Sequence, residues 1–231
     1  MKMVKDEKNR SASQRLWSVV AVVLILMAGV LLPGCEKKTA GPTEKVAEIK
    51  IGTDDGCVSA LTHFLPDAAY GFVISGFDRA SVGVALSGGG DSLTGRALYR
   101  FDISDWNDGT ITFHCRCISR TGAPDSIEVY VIDDFGSLPA SPGSDPQDVS
   151  ATWNLLNTGV KVGEISPIAG NWFEISIPNA VVQEKKTGEG YLAIMLKLSN
   201  EEIGADNAYD LSTYEYAESR HENKPYLAWN E

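Results

Sequence analysis

The two stretches whose reading decides the fold are RALYRFDI, Arg96 to Ile103, and TITFHCRCIS, Thr110 to Ser119. In the first, Ala97, Tyr99, Phe101 and Ile103 alternate with Leu98, Arg100 and Asp102; in the second, Ile111, Phe113, Cys115 and Cys117 alternate with Thr112, His114 and Arg116. Successive side chains of a strand point to opposite faces, so apolar residues at every second position mark a half-buried strand. The same reading extends to SIEVYVID (Ser126 to Asp133), WFEISIP (Trp172 to Pro178), YLAIMLKLS (Tyr191 to Ser199) and PYLAW (Pro225 to Trp229), separated by segments rich in Gly, Pro, Asp, Ser and Asn. SGGGDSLTG, Ser87 to Gly95, reads as a hairpin turn. DDFGSLPASPGSDPQD, Asp133 to Asp148, reads as a long loop, and only NAVVQEKKTG, Asn179 to Gly188, reads as helix. Many short strands and one short helix predict an all-β sandwich or barrel.

The N-terminus carries a different signal. Lys2, Lys5, Lys8, Arg10 and Arg15 outweigh Asp6 and Glu7, and WSVVAVVLILMAGVLL, Trp17 to Leu32, has no charge. A helix of that length rises about 24 Å, short of the hydrocarbon core of about 30 Å that a spanning helix fills. LPGC, Leu32 to Cys35, follows and resembles the bacterial lipobox, whose Cys accepts lipid. The expected organisation is a signal peptide at 1–34, a lipidated tether at 35–56 beginning with Cys35, and a domain at 57–231. Within the tether AEIKIG could instead be a first edge strand, and Cys35 could instead be a bystander beside an uncleaved anchor. Either way the domain lies outside the cytoplasm. Several acyl chains would anchor it stably to the membrane. In enterobacterial lipoproteins, which this N-terminus resembles, an Asp after the Cys marks inner-membrane retention; with Glu36 there instead, the resemblance implies the outer membrane if the organism has one.

The formal charge is −11 over 231 residues, and −14 once residues 1–34 are removed. That balance argues against nucleic acid, whose affinity rests largely on Lys and Arg contacts with phosphates. Neither Gly-x-Ser-x-Gly nor His-Glu-x-x-His occurs, and the Gly-rich Ser87 to Gly95 stretch lacks the Lys of a phosphate loop, which favours binding over catalysis.

Taken in order, ALYRFDIS, SIEVYVID, ATWN, WFEISIP, GYLAIMLKLS and KPYLAW resemble the DNRLRE-type domains, a family grouped with alginate-binding carbohydrate modules. The resemblance covers roughly Cys57 to Glu231. It implies a jelly-roll-like β-sandwich of two antiparallel sheets and a polysaccharide or cell-surface glycan as ligand. The rival classes are a structural or adhesive surface protein and a polysaccharide lyase or hydrolase.

Each candidate site residue has two readings. Arg100 and Arg116, with Arg96 and Arg120, could form a basic stripe for an anionic glycan if their strands are neighbours, or could pair with Asp102, Glu128 and other carboxylates. Trp106, Tyr214 and Tyr216 could stack on sugar rings or cap the core; Trp153, Trp172 and Trp229 read as core. Asp133 and Asp134 could hold a structural calcium or be solvated loop charge. Cys57 could bridge to Cys115 or Cys117, or all three could be buried thiols; by strand parity His114 faces away from both cysteines, which argues against zinc. For the anchor, Cys35→Ala is expected to abolish palmitate labelling and leave unprocessed precursor; unchanged labelling of the variant would remove the lipobox reading.

Overall fold

In the computed structural model the described residues are 43–61, 71–86, 92–140, 143, 145–201 and 206–230. The expected signal peptide at 1–34, the expected lipidation site Cys35 and residues 87–91 lie outside them. Among the described residues no helix is long and apolar enough to cross a membrane.

The chain is mostly β. In order it forms β1 (Glu44–Glu48), β2 (Asp55–Leu61), β3 (Gly71–Ile74), β4 (Arg79–Leu86), β5 (Ser92–Asp102), β6 (Ile111–Thr121), β7 (Ile127–Ile132), α1 (Pro146–Asn154), a 3-10 turn (Leu155–Thr158), β8 (Val160–Ile165), β9 (Trp172–Ile177), α2 (Asn179–Lys185), β10 (Tyr191–Leu198), β11 (Asn207–Ser212), α3 (Tyr214–Arg220) and β12 (Tyr226–Asn230). All strand pairs are antiparallel, in the order β1-β12-β6-β11-β4-β5-β10-β7-β8, with β2 on β5, β3 on β2 and β9 on β6. The two eleven-residue strands are the hubs. β5 takes β2, β4 and β10 as partners, and β6 takes β9, β11 and β12, so the sheet curls around them. β4 and β5 form the expected hairpin, with Leu86 opposite Ser92. Gly83, in the middle of β4, has φ of +133°, and a Cβ there would lie 2.3 Å from Asn207 O, so the close approach of β11 requires glycine.

The alternation of the hubs sets the core. Tyr99, Phe101 and Ile103 of β5 and Ile111, Phe113, Cys115 and Cys117 of β6 share one buried cluster, all without solvent exposure. Phe113 is its aromatic centre, with ring centroids 5.5 Å from Tyr99, 6.0 Å from Phe101 and 6.2 Å from Phe173. A second cluster covers the opposite face of β5 and β10, where Val149 and Trp153 of α1 pack with Val58, Leu98, Ala193 and Met195.

Two expectations are corrected here. The tether was expected to reach Gly56, but β1 pairs along its whole length with β12, and Ile49 is 1% exposed in the core. The edge strand thus lies mostly upstream of the Ala47 to Gly52 stretch considered for it, sharing only Ala47 and Glu48 with it, and the folded unit starts upstream of Cys57. The loop ending at Asp148 and the ATWN segment were not expected to be helical; Asp145 caps α1 by accepting from Gln147 N at 2.9 Å, with Pro146 in the first turn. The loop before it is pinned by a reciprocal backbone pair between Val73 and Gly143 and by Leu138 N donating to Thr53 O. α2 forms as expected; α3, capped by Thr213, does not appear in the sequence reading.

Phe113→Ala removes the central ring and is expected to cost about 3–5 kcal/mol, read as a lower urea midpoint with an unchanged slope; an unchanged midpoint would remove Phe113 from the core.

Candidate functional site

The arginines of β5 are occupied by the protein itself. Arg100 donates from Nε and Nη2 to the two carboxylate oxygens of Asp134 at 2.7 and 3.1 Å, and from Nη1 to Asp54 at 3.3 Å, while its guanidinium lies 3.4 Å over the Tyr191 ring. Arg96 pairs with Glu201, donates to Trp153 O at 3.1 Å and lies 3.6 Å over the Trp153 ring. These planar, forked contacts fasten α1 and the loop at Asp134 onto β5. Burial raises the Asp54 pKa in spite of the Arg100 charge. On β6, Arg116 pairs with Glu222 and donates to Gly170 O at 3.3 Å. The basic stripe expected for Arg100 and Arg116 does not form, because β11 and β4 separate β6 from β5. The arginines pair with carboxylates, though not with the two named: Asp102 binds Lys50, which holds its carboxyl down at about 2, and Glu128 binds Lys161 and Lys197.

The two candidate calcium ligands, Asp133 and Asp134, are each paired with a cation. Asp134 is taken by Arg100 and Asp133 by Lys185 at 3.0 Å. Among the described residues no group of three or more His, Cys, Asp or Glu could hold a metal ion.

Trp106, Tyr214 and Tyr216 take the core-capping reading. Trp106 is 4% exposed and donates to Gly109 O at 3.3 Å. Tyr216 is buried beneath Arg220, and Tyr214 is packed against the core with Lys224 4.4 Å from its ring centroid.

Among the described residues the cysteines are three buried thiols, so the bridge from Cys57 to Cys115 or Cys117 is not present. Cys57 sits on β2 opposite Ala97 of β5, while Cys115 and Cys117 sit on β6, with β4 and β11 between the two hubs. Each thiol has its own neighbours: Ser59 for Cys57, the Tyr99 hydroxyl for Cys115 and Ser119 O for Cys117. Burial pushes the thiols up to about 11 for Cys57 and Cys117 and about 12 for Cys115.

Among the described residues, the outer face of β9, β6, β12 and β1 is an open surface. In β9, Phe173 and Ile177 turn into the core, so Trp172 and Glu174 turn out; Leu227 and Trp229 of β12 likewise leave Tyr226 outside. Register then assembles a strip. His114 lies opposite both Glu174 and Tyr226, and Arg116 lies opposite Trp172. The His114 and Tyr226 rings stack at 4.4 Å and 9°, and Trp172 leans on Tyr226 at 5.9 Å and 49°. Trp172 is 39% exposed, so it offers a ring surface to solvent. Burial lowers the His114 pKa and outweighs the charges of Glu174 and Glu44; it raises that of Tyr226, aided by the same two carboxylates. Beside the strip, β1 carries Glu48 opposite Tyr226 and Glu44 opposite Asn230. Beyond β1 a cleft of about 610 Å³ runs along Glu48, Lys50, Asp102, Asp105 and Trp229.

Sequence reasoning put His114 on the correct face but assigned Trp172 to the core. The alternation of Trp172, Glu174 and Ser176 against Phe173, Ile175 and Ile177 holds the signal that places Trp172 outside. Comparison with known proteins gives no matching family model and no matching curated protein.

In the Cys35→Ala variant, a thiol reagent at neutral pH is expected to label nothing rapidly in the native state and three thiols after denaturation. Release of only one thiol would reinstate the bridge.

Proposed function

We propose that the chain is a lipid-anchored module of the cell envelope, tethered through Cys35, whose folded part binds a polysaccharide or cell-surface glycan. On this reading its strands form a jelly-roll-like sandwich, one sheet built on β6 and the other on β5, similar to the DNRLRE-type domains. The observation that carries the binding role is the open strip of Trp172, Tyr226 and His114 on the face of β9, β6 and β12.

The physical case rests on ring geometry. A sugar ring presents an apolar C–H face that packs on an indole or phenol ring, while its hydroxyls need polar partners at the ring edge. Trp172 supplies the exposed ring and Tyr226 a second one tilted by 49°. Glu174, Ser176 and Thr112 lie on the same strand faces and can take hydroxyl hydrogen bonds. The strip stands on paired strands, with Tyr226 held by its stack on His114, so its groups are positioned before ligand arrives. The adhesive alternative uses the same face but has no need for polar groups spaced around the rings.

Calorimetry on a glycan selected from an array is expected to show Trp172→Ala weakening affinity about tenfold, the equivalent of about 1.4 kcal/mol, with Tyr214→Phe unchanged. Absence of any array binding, or affinity indifferent to Trp172→Ala, would remove the proposal.

A further inference from the structure

We infer that the Trp172 and Tyr226 strip takes a glycan carrying free amino groups. This rests on the glycan-binding reading above and narrows its ligand class. The argument is charge complementarity at the rings. Glu174, whose side chain is 72% exposed, stands beside His114 and Tyr226, with His114 Nδ1 at 3.7 Å as its one basic neighbour within 4 Å among the described residues. Burial lowers the pKa of that imidazole, which favours the neutral ring. Glu44 acts on both His114 and Tyr226 from β1, and Glu48 lies directly opposite Tyr226.

Cations near the strip are already committed. Arg116, in the register position next to Trp172, is held by Glu222 and Gly170 O. In the adjoining cleft Lys50 is held by Asp102 at 2.6 Å and Lys224 by Glu218 at 2.6 Å. The rings therefore sit in a negative local field within an acidic chain of net charge −11. A uronate polymer would bring its carboxylates against Glu44 and Glu174, inside the screening length of about 8 Å at physiological salt. A neutral glycan could stack but would leave that field unused. An ammonium on the sugar ring satisfies both parts of the surface: its charge meets the carboxylates through charge-assisted hydrogen bonds and the ring faces through cation–π attraction, while the sugar body packs on Trp172. A lysine-rich peptide offers the same cation without a stiff ring to lie on the indole, so the glycan is the favoured occupant.

Calorimetry with the full chain in mild detergent tests this with glucosamine oligomers, their N-acetylated counterparts, oligogalacturonate and oligolysine of matched length, at a pH where the sugar amines are protonated. The glucosamine oligomer is expected to bind about tenfold tighter than the acetylated one, the scale of one charge-assisted contact, with added salt and Glu174→Gln each erasing that preference and Trp172→Ala weakening both. Equal affinity for the acetylated oligomer, still sensitive to Trp172→Ala, would overturn the amine assignment and leave the glycan reading intact. Tighter binding of oligogalacturonate would do the same. Oligolysine binding as tightly as the glucosamine oligomer would overturn the assignment in favour of a basic peptide, and no binding of any glycan would overturn both readings.

Discussion

The Tyr99 hydroxyl, in a side chain with no solvent exposure, donates to Ser212 O at 2.9 Å and so ties β5 to β11 through the middle of the core. A buried hydroxyl left unpaired would cost about 1–3 kcal/mol, so the contact fixes which way β5 faces. Once Tyr99 points inward, strand geometry sends Ala97, Phe101 and Ile103 in with it, and Arg96, Leu98 and Arg100 out. The same residue sits opposite Asp55 of β2 and Ile194 of β10, and its ring packs on Phe113 of β6. A single parity choice therefore sets the inner faces of both hubs. It also decides where the cations go.

Those outward cations explain why one outer face is closed and the other open. On β5, Arg96 and Arg100 end among Glu201, Asp134, Asp54 and two aromatic rings, and between them the apolar Leu98 meets Val149 and Trp153 of α1. Partly buried charges are costly unless paired, and the forked guanidinium contacts meet that need while holding the covering segments in place. On β6 the outward residues are Thr112, His114 and Arg116, and their partners come from β9, β12 and Glu222, within or beside the same face. No helix lies over them among the described elements, so Trp172 and Tyr226 stay accessible.

The sequence made the hubs legible because both carry an unbroken alternation, with Phe113, Cys115 and Cys117 on one side and His114 and Arg116 on the other. β1 was harder: Glu44 to Glu48 contains only Val46 and Ala47 as apolar residues, and Val46 is the one left outside. Its place comes from backbone pairing with β12, a tertiary effect that local pattern does not encode. In α1 the Pro-rich approach obscured a legible start, Asp145 followed by Pro146. Arg100 and Arg116 could be assigned faces but not neighbours, since order in a curled sheet depends on long-range pairing. Trp172 failed differently. Its alternation was readable, but its size and apolar neighbours suggested burial, although large rings are seldom wholly buried.

The charge distribution gives the open face its chemical character. Acidic chains avoid polyanions at long range, yet a local cluster of arginines can reverse that preference where it faces solvent. Here Arg96 and Arg100 are spent on internal contacts and Arg116 on Glu222, so the local field at the rings follows the mean field of the chain instead of opposing it. Glu174 is left largely in water beside a partly buried imidazole whose pKa burial lowers. The arrangement that stabilises the covered side of the fold thereby withdraws positive charge from the surface, and the uncovered side is left with carboxylates around aromatic rings.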